Sequence, residues 1–147
     1  MSGDYHYILH AKTFLDVLYI FFVRRSDFIS DKYRYMNEFE IQVAKLLETN
    51  GWHVIRKGKG FDLLAIKGKV ALMIECKDWN RDIAGKTLRK IVRRLKRAYR
   101  EYKLPIPDNI TVIPILVSSG MVKDTYRTEP VRIFTFEEFK KFASESF

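Results

Sequence analysis

Apolar residues recur at helical spacing in several parts of this chain and form short solid runs between them, so helices and strands alternate. Ile8, Ala11, Leu15, Leu18 and Phe22 share one helical stripe, which predicts an amphipathic helix near the start. Asn37, with Glu40 three residues on and Phe39, Val43, Leu46 and Leu47 in helical phase, predicts a capped second helix that Asn50-Gly51 stops. Residues 52–56 (WHVIR) read as a first strand, with His53 on its surface. Residues 63–66 and 70–74 are aliphatic or β-branched and flank Lys67-Gly68-Lys69, a hairpin pattern. A long helix is expected from about Lys86, with Leu88, Ile91, Val92, Leu95, Ala98, Tyr99 and Tyr102 on one stripe and Pro105 and Pro107 beyond its end. Residues 109–119 (NITVIPILVSS) then read as a buried strand and 131–134 as a short last strand. Thr135, with Glu138 in capping-box position, opens a final helix. This order predicts an α/β fold, a mixed sheet flanked by helices. Residues 1–35 form an N-terminal helical extension that serves packing or a dimer contact, and 36–147 form one domain.

The hairpin is where chemistry enters. If the loop is the two residues Gly68-Lys69, glycine supplies the positive φ of a type II′ turn, Lys67 faces Val70 and Leu64 faces Met73. Asp62 then faces Glu75, and the period of two puts Lys77 on the same side. Opposed carboxylates, with Cβ atoms roughly 5 Å apart, destabilise a sheet unless a positive charge lies between them. A divalent cation with hard oxygen ligands would supply it, with Lys77 as a weaker source. The plain alternative is a surface hairpin whose acids are solvated, but Glu75 closes the apolar run VALMI, which suits a buried strand. Glu40 has two readings as well, a capping partner or a third carboxylate on the helix leading into the hairpin. Cys76 points to the other face, where an inert buried thiol is expected.

Charge narrows the class of partner. The 147 residues carry a net charge of +9, which favours a polyanion, nucleic acid first and an acidic membrane second. Lys86, Arg89, Lys90, Arg93, Arg94, Lys96, Arg97, Arg100 and Lys103 crowd the polar side of the long helix against one acid, Glu101. Solvated helices usually mix signs at i,i+4, whereas here like charges repel along the whole length, and a phosphate backbone would relieve them. Lys57 and Lys59, in a glycine-bearing loop before Asp62, could approach the same backbone. A single cysteine excludes an internal disulfide and points to a reducing, cytoplasmic setting. The apolar run 13–23 is too short to span a bilayer and lacks the layout of a signal peptide, so no membrane is expected as partner.

Glu40, residues 51–55 (GWHVI), Gly60-x-Asp62 and Glu75-Cys76-Lys77 together resemble the PD-(D/E)xK restriction-endonuclease-like nucleases, nearest to the Mrr-type catalytic domain and the archaeal Holliday-junction resolvases. The resemblance covers residues 37–77 well and the C-terminal third loosely. It implies a restriction-endonuclease-like core. It also implies that Asp62 and Glu75 bind Mg²⁺, with Mn²⁺ as substitute, that the Cys76 main-chain carbonyl lies near the metal, and that Glu40 assists. Lys77 would orient or activate water. Phe61 stands where the family's name has proline, and the serine common in resolvases is absent. The function expected is a Mg²⁺-dependent DNA endonuclease, structure-specific or Mrr-like, with a homodimer as the expected assembly. The basic helix and the loop lysines (Lys57, Lys59, Lys86, Arg89, Lys90, Arg93, Arg94, Arg97) would contact the DNA backbone. The alternatives are a catalytically inactive DNA-binding module of this fold, an RNA-processing nuclease, and a membrane-associated protein.

Overall fold

The computed structural model describes residues 33, 35–56, 60–79, 85–103, 109–120 and 128–145. The expected N-terminal helix and extension, and the loop lysines Lys57 and Lys59, lie outside the described residues. In chain order the elements are α1 (Glu38–Thr49), β1 (His53–Arg56), β2 (Leu63–Lys67), β3 (Val70–Lys77), α2 (Gly85–Lys103), β4 (Thr111–Ser118), β5 (Arg132–Thr135) and α3 (Phe136–Ala143). The strands form one five-stranded sheet in the order β1-β2-β3-β4-β5. β1, β2 and β3 are antiparallel neighbours, and β3-β4 and β4-β5 are parallel. The mixed sheet expected from the pattern is the one formed.

Local signals set the element ends. Asn37 caps α1, its side chain accepting from the Glu40 N–H at 2.8 Å. Gly51 follows the helix with φ +87°, the left-handed geometry that suits glycine. Thr135 and Glu138 complete the capping box that opens α3. The parallel step from β3 to β4 requires a crossover, and α2 supplies it.

Helices on both faces explain why the central strands read as solid apolar runs instead of alternating ones. On one face Leu63, Leu72, Ile74, Ile113, Ile115 and Val117 pack with α1 and α3. On the other, Leu64, Ile66, Met73 and Leu116 pack under Leu88, Ile91, Val92 and Leu95 of α2. Burying a leucine such as Leu88 or Leu95 contributes on the order of 2 kcal/mol, so this stripe fixes α2 on the sheet. The parity of β3 therefore decides what each layer sees: Cys76 faces α1 and α3, and Glu75 faces α2.

Candidate active site

The β2-β3 register pairs Lys67 with Val70, Leu64 with Met73 and Leu63 with Ile74. Gly68 has φ +60° at the turn's first position, as a two-residue loop requires. Just past that register the Asp62 N–H donates to the Ile74 carbonyl at 2.9 Å, one residue out of step with the pairing of Leu63 and Ile74. The regular ladder therefore ends at Leu63 and does not itself carry Asp62 on to Glu75, as the two-residue turn predicts. The Asp62 carboxylate also accepts from the Cys76 N–H at 2.8 Å, taking the place of the strand that ends there. Carbonyl direction alternates along a strand, so the Cys76 carbonyl points to the same side as that of Ile74, beyond the end of β2 and towards Asp62.

Before Asp62 the chain passes close under α2. Gly60 has φ +89°, and a Cβ there would lie 3.1 Å from that of Ala98. Glycine is required both by the dihedral and by the approach. Phe61 is buried edge-on against Tyr102, which anchors the residue next to Asp62 in the α2 layer.

Glu75 is 5% exposed, and its carboxyl lies within hydrogen-bonding reach of that of Asp62. Two cations approach the same oxygen, Oε1: Lys77 Nζ at 3.6 Å and Arg94 Nη2 at 3.5 Å. Burial first, then the charge and hydrogen bond of Asp62, push the Glu75 carboxyl up to about 7, with Lys77 and Arg94 pulling against them. On the other face, burial raises the Cys76 thiol well above its ordinary range, as expected of an inert one.

The structure brings together Asp62, Glu75 and Lys77, with the Cys76 backbone beside them. It does not bring Glu40 into that group. Glu40 belongs to the layer on the Cys76 side, its carboxylate accepts from the Asn37 amide at 2.9 Å, and its charge is felt at the Cys76 thiol. Among the described residues no three His, Cys, Asp or Glu side chains are grouped so as to hold a metal ion. Lys86, Arg89, Lys90, Arg93, Arg94 and Arg97 are all exposed on α2. Arg94 is the residue whose place sequence reasoning missed, since it was expected only on the phosphate-facing row. Its position beside Leu95 and three residues after Ile91, at the flank of the apolar stripe, was the available sign.

A cavity of about 420 Å³ lies elsewhere, lined by Glu38, Asp78 and Glu137 with Phe39, Ser119 and Phe136. Its acids repel phosphate, and it includes neither Asp62 nor Glu75. Among the described residues no helix is long and apolar enough to cross a membrane.

Residues 35–106 match the family model Mrr_cat, restriction endonuclease, and this stretch holds the whole hairpin and α2. Residues 35–106 are an Mrr-type restriction-endonuclease domain. The Mrr-type domain therefore comes from a nuclease family. No curated protein matches the sequence. The fold is similar to that of the small subunit (R.BspD6I2) of the heterodimeric restriction endonuclease R.BspD6I, with a TM-score of 0.55 over 80% of this chain and 74% of that one. The two are 19% identical, so the likeness concerns the fold.

Proposed function

We propose that this chain is a Mg²⁺-dependent DNA endonuclease with Asp62, Glu75 and Lys77 as its catalytic set. The observation that carries the reading is the buried carboxyl of Glu75 within reach of that of the half-buried Asp62, with Lys77 Nζ 3.6 Å from Glu75 Oε1. Two hard oxygen donors whose mutual repulsion lacks full compensation fit Mg²⁺ or Mn²⁺. Asp62 and Glu75 would hold the ion, with the Cys76 carbonyl beside them. Such an ion offsets charge building on the phosphoryl oxygens and lowers the pKa of a bound water. Lys77, on the Glu75 side of the sheet and partly exposed, orients the attacking water and stabilises negative charge. Glu40 adds negative charge from behind β3 and is assigned a supporting role. Lys86, Arg89, Lys90, Arg93 and Arg97, together with Lys57 and Lys59, hold the backbone of the nucleic acid without reading its sequence.

DNA is the substrate we favour. A branched or junction substrate suits contacts that, as proposed, go to the phosphate backbone and not to base edges. Two cuts call for two active sites, and a second copy of this chain is the partner proposed. The fold neighbour belongs to a heterodimer, so a different partner chain is the alternative that a mass measurement would reveal. One observation favours the rival reading of a DNA-binding module that does not cut: among the described residues no third acid joins the pair.

The test is a cleavage panel in Mg²⁺ of four-way junction, flapped, nicked, linear and single-stranded DNA and of RNA, with wild type and Lys77→Ala. Loss of a charge-stabilising group of this kind lowers the rate by roughly 100-fold or more, with binding little changed. Cleavage that survives Lys77→Ala removes Lys77 from the mechanism. Salt-sensitive binding with no cleavage of any substrate favours the non-cutting reading.

A further inference from the structure

We propose that Arg94 is a substrate-contacting residue of this site, resting on Glu75 in the free protein and passing to the phosphodiester when nucleic acid docks along α2. This rests on the nuclease reading above.

Glu75 Oε1 has two cationic neighbours of different character. Lys77 stands two residues away on the same strand and is 27% exposed, so it stays with the site. Arg94 reaches in from α2, and its side chain is 52% exposed. Half of the arginine is thus already in solvent, on the face that also carries Lys90 and Arg97. Lys90 is one helical turn before it and Arg97 nearly one turn after, so the three form a row along the helix. Within that row Arg94 is the member that meets the acid pair, the point where a backbone lying on α2 passes the candidate reactive group.

Charge balance supplies the reason to move. In the free protein Arg94 and Lys77 both approach the same oxygen of Glu75, at 3.5 and 3.6 Å. Once Glu75 is engaged by another cation, Arg94 loses its counter-charge inside the site, and an arriving phosphodiester is the anion nearest to it. A guanidinium suits that exchange, because its planar fork pairs with two phosphoryl oxygens as readily as with a carboxylate.

The experiment compares full-length wild type, Arg94→Met, Arg94→Lys and, on the distant helix α3, Lys140→Met. Mn²⁺ binding without nucleic acid is measured by calorimetry, DNA binding in Ca²⁺, cleavage in Mg²⁺, and folding by thermal melts. The expected result for Arg94→Met is Mn²⁺ affinity equal to wild type or a few-fold tighter, since a competitor for Glu75 is gone. Its turnover falls by roughly 100-fold, its melting point is unchanged, and Arg94→Lys recovers only part of the turnover. Lys140→Met behaves as wild type. Weaker Mn²⁺ binding together with a lower melting point in Arg94→Met overturns the proposal, because Arg94 would then be a prop for Glu75. Turnover of Arg94→Met equal to that of Lys140→Met also overturns it while leaving the nuclease reading intact. Wild type that neither binds Mn²⁺ nor cleaves removes the nuclease reading itself, before any variant is compared.

Discussion

A glutamate buried to 5% exposure opposite an aspartate stays protonated to about pH 7 in the metal-free protein, because burial and Asp62 both oppose its charge. Linkage gives the sign. Below about pH 4.5 Glu75 is neutral in the folded and unfolded chain alike, so folding carries no penalty from it. Between there and about 7 only the unfolded chain ionises, and the folded state loses ground. Above about 7 the loss is complete, of order 3 kcal/mol for a shift of this size. Denaturant titrations in EDTA at pH 5 and pH 8 are therefore expected to show wild type weakening with rising pH. The slope should be flatter in Glu75→Gln, because an amide has no proton to lose. Equal pH slopes for the two proteins would mean that Glu75 does not feel this burial. The same conflict makes the site receptive to a cation, whose binding requires the carboxylate form.

Helix α2 joins two features that the sequence keeps apart. Its apolar stripe binds it to the sheet face that holds Glu75, and its opposite side carries an almost unbroken cationic row. Like charges at i,i+4 destabilise a helix, so the row is a standing cost that packing of Leu88, Val92 and Leu95 overcomes. Each phosphate that such a row neutralises releases counterions and steepens the salt dependence of binding by about 0.9 in log-log slope on duplex DNA. Lys90→Gln combined with Arg97→Gln is expected to reduce that slope by about 2 and to weaken all sequences alike. Fluorescence anisotropy across a salt series measures it. An unchanged slope would place the nucleic acid on another face of the protein.

At the scale of the whole molecule, the fold brings two acids together, and on the proposed reading a divalent cation would reconcile them. A ligand that binds only the folded state raises its stability by mass action. At pH 8, 10 mM Mg²⁺ binding with a Kd of about 1 mM would add roughly 1.4 kcal/mol, a rise of about 2–6 °C in melting temperature for a domain of this size. Glu75→Gln should lose most of that rise, and the comparison needs only a melt with and without the ion. A shift in wild type that persists undiminished in Glu75→Gln would locate the ion elsewhere. With a net charge of +9 the protein also draws polyanions to it at long range, and α2 gives that attraction a direction.

Much of this was legible in the chain because it is written in local terms. The two-residue turn at Gly68, the caps at Asn37 and Thr135 and the glycine after α1 each act within a few residues, and they fixed the hairpin register and the helix ends. The turn fixed the pairing as far as Leu63 and Ile74, while the meeting of the Asp62 and Glu75 carboxyls just beyond it depends on a one-residue offset that the period of two does not give. The placement of Glu40 was not legible. Asn37 and Glu40 are a local pair in any fold, but which face of the sheet α1 covers depends on how the layers stack. Nor was Arg94 at the carboxylate. Residues 75 and 94 are separated by a loop and two turns of helix, and nothing in their spacing says where α2 comes to rest. That was decided by the packing of Leu88, Ile91, Val92 and Leu95 on Leu64 and Met73, because long-range burial, unlike a turn or a cap, has no sequence signature of its own partner.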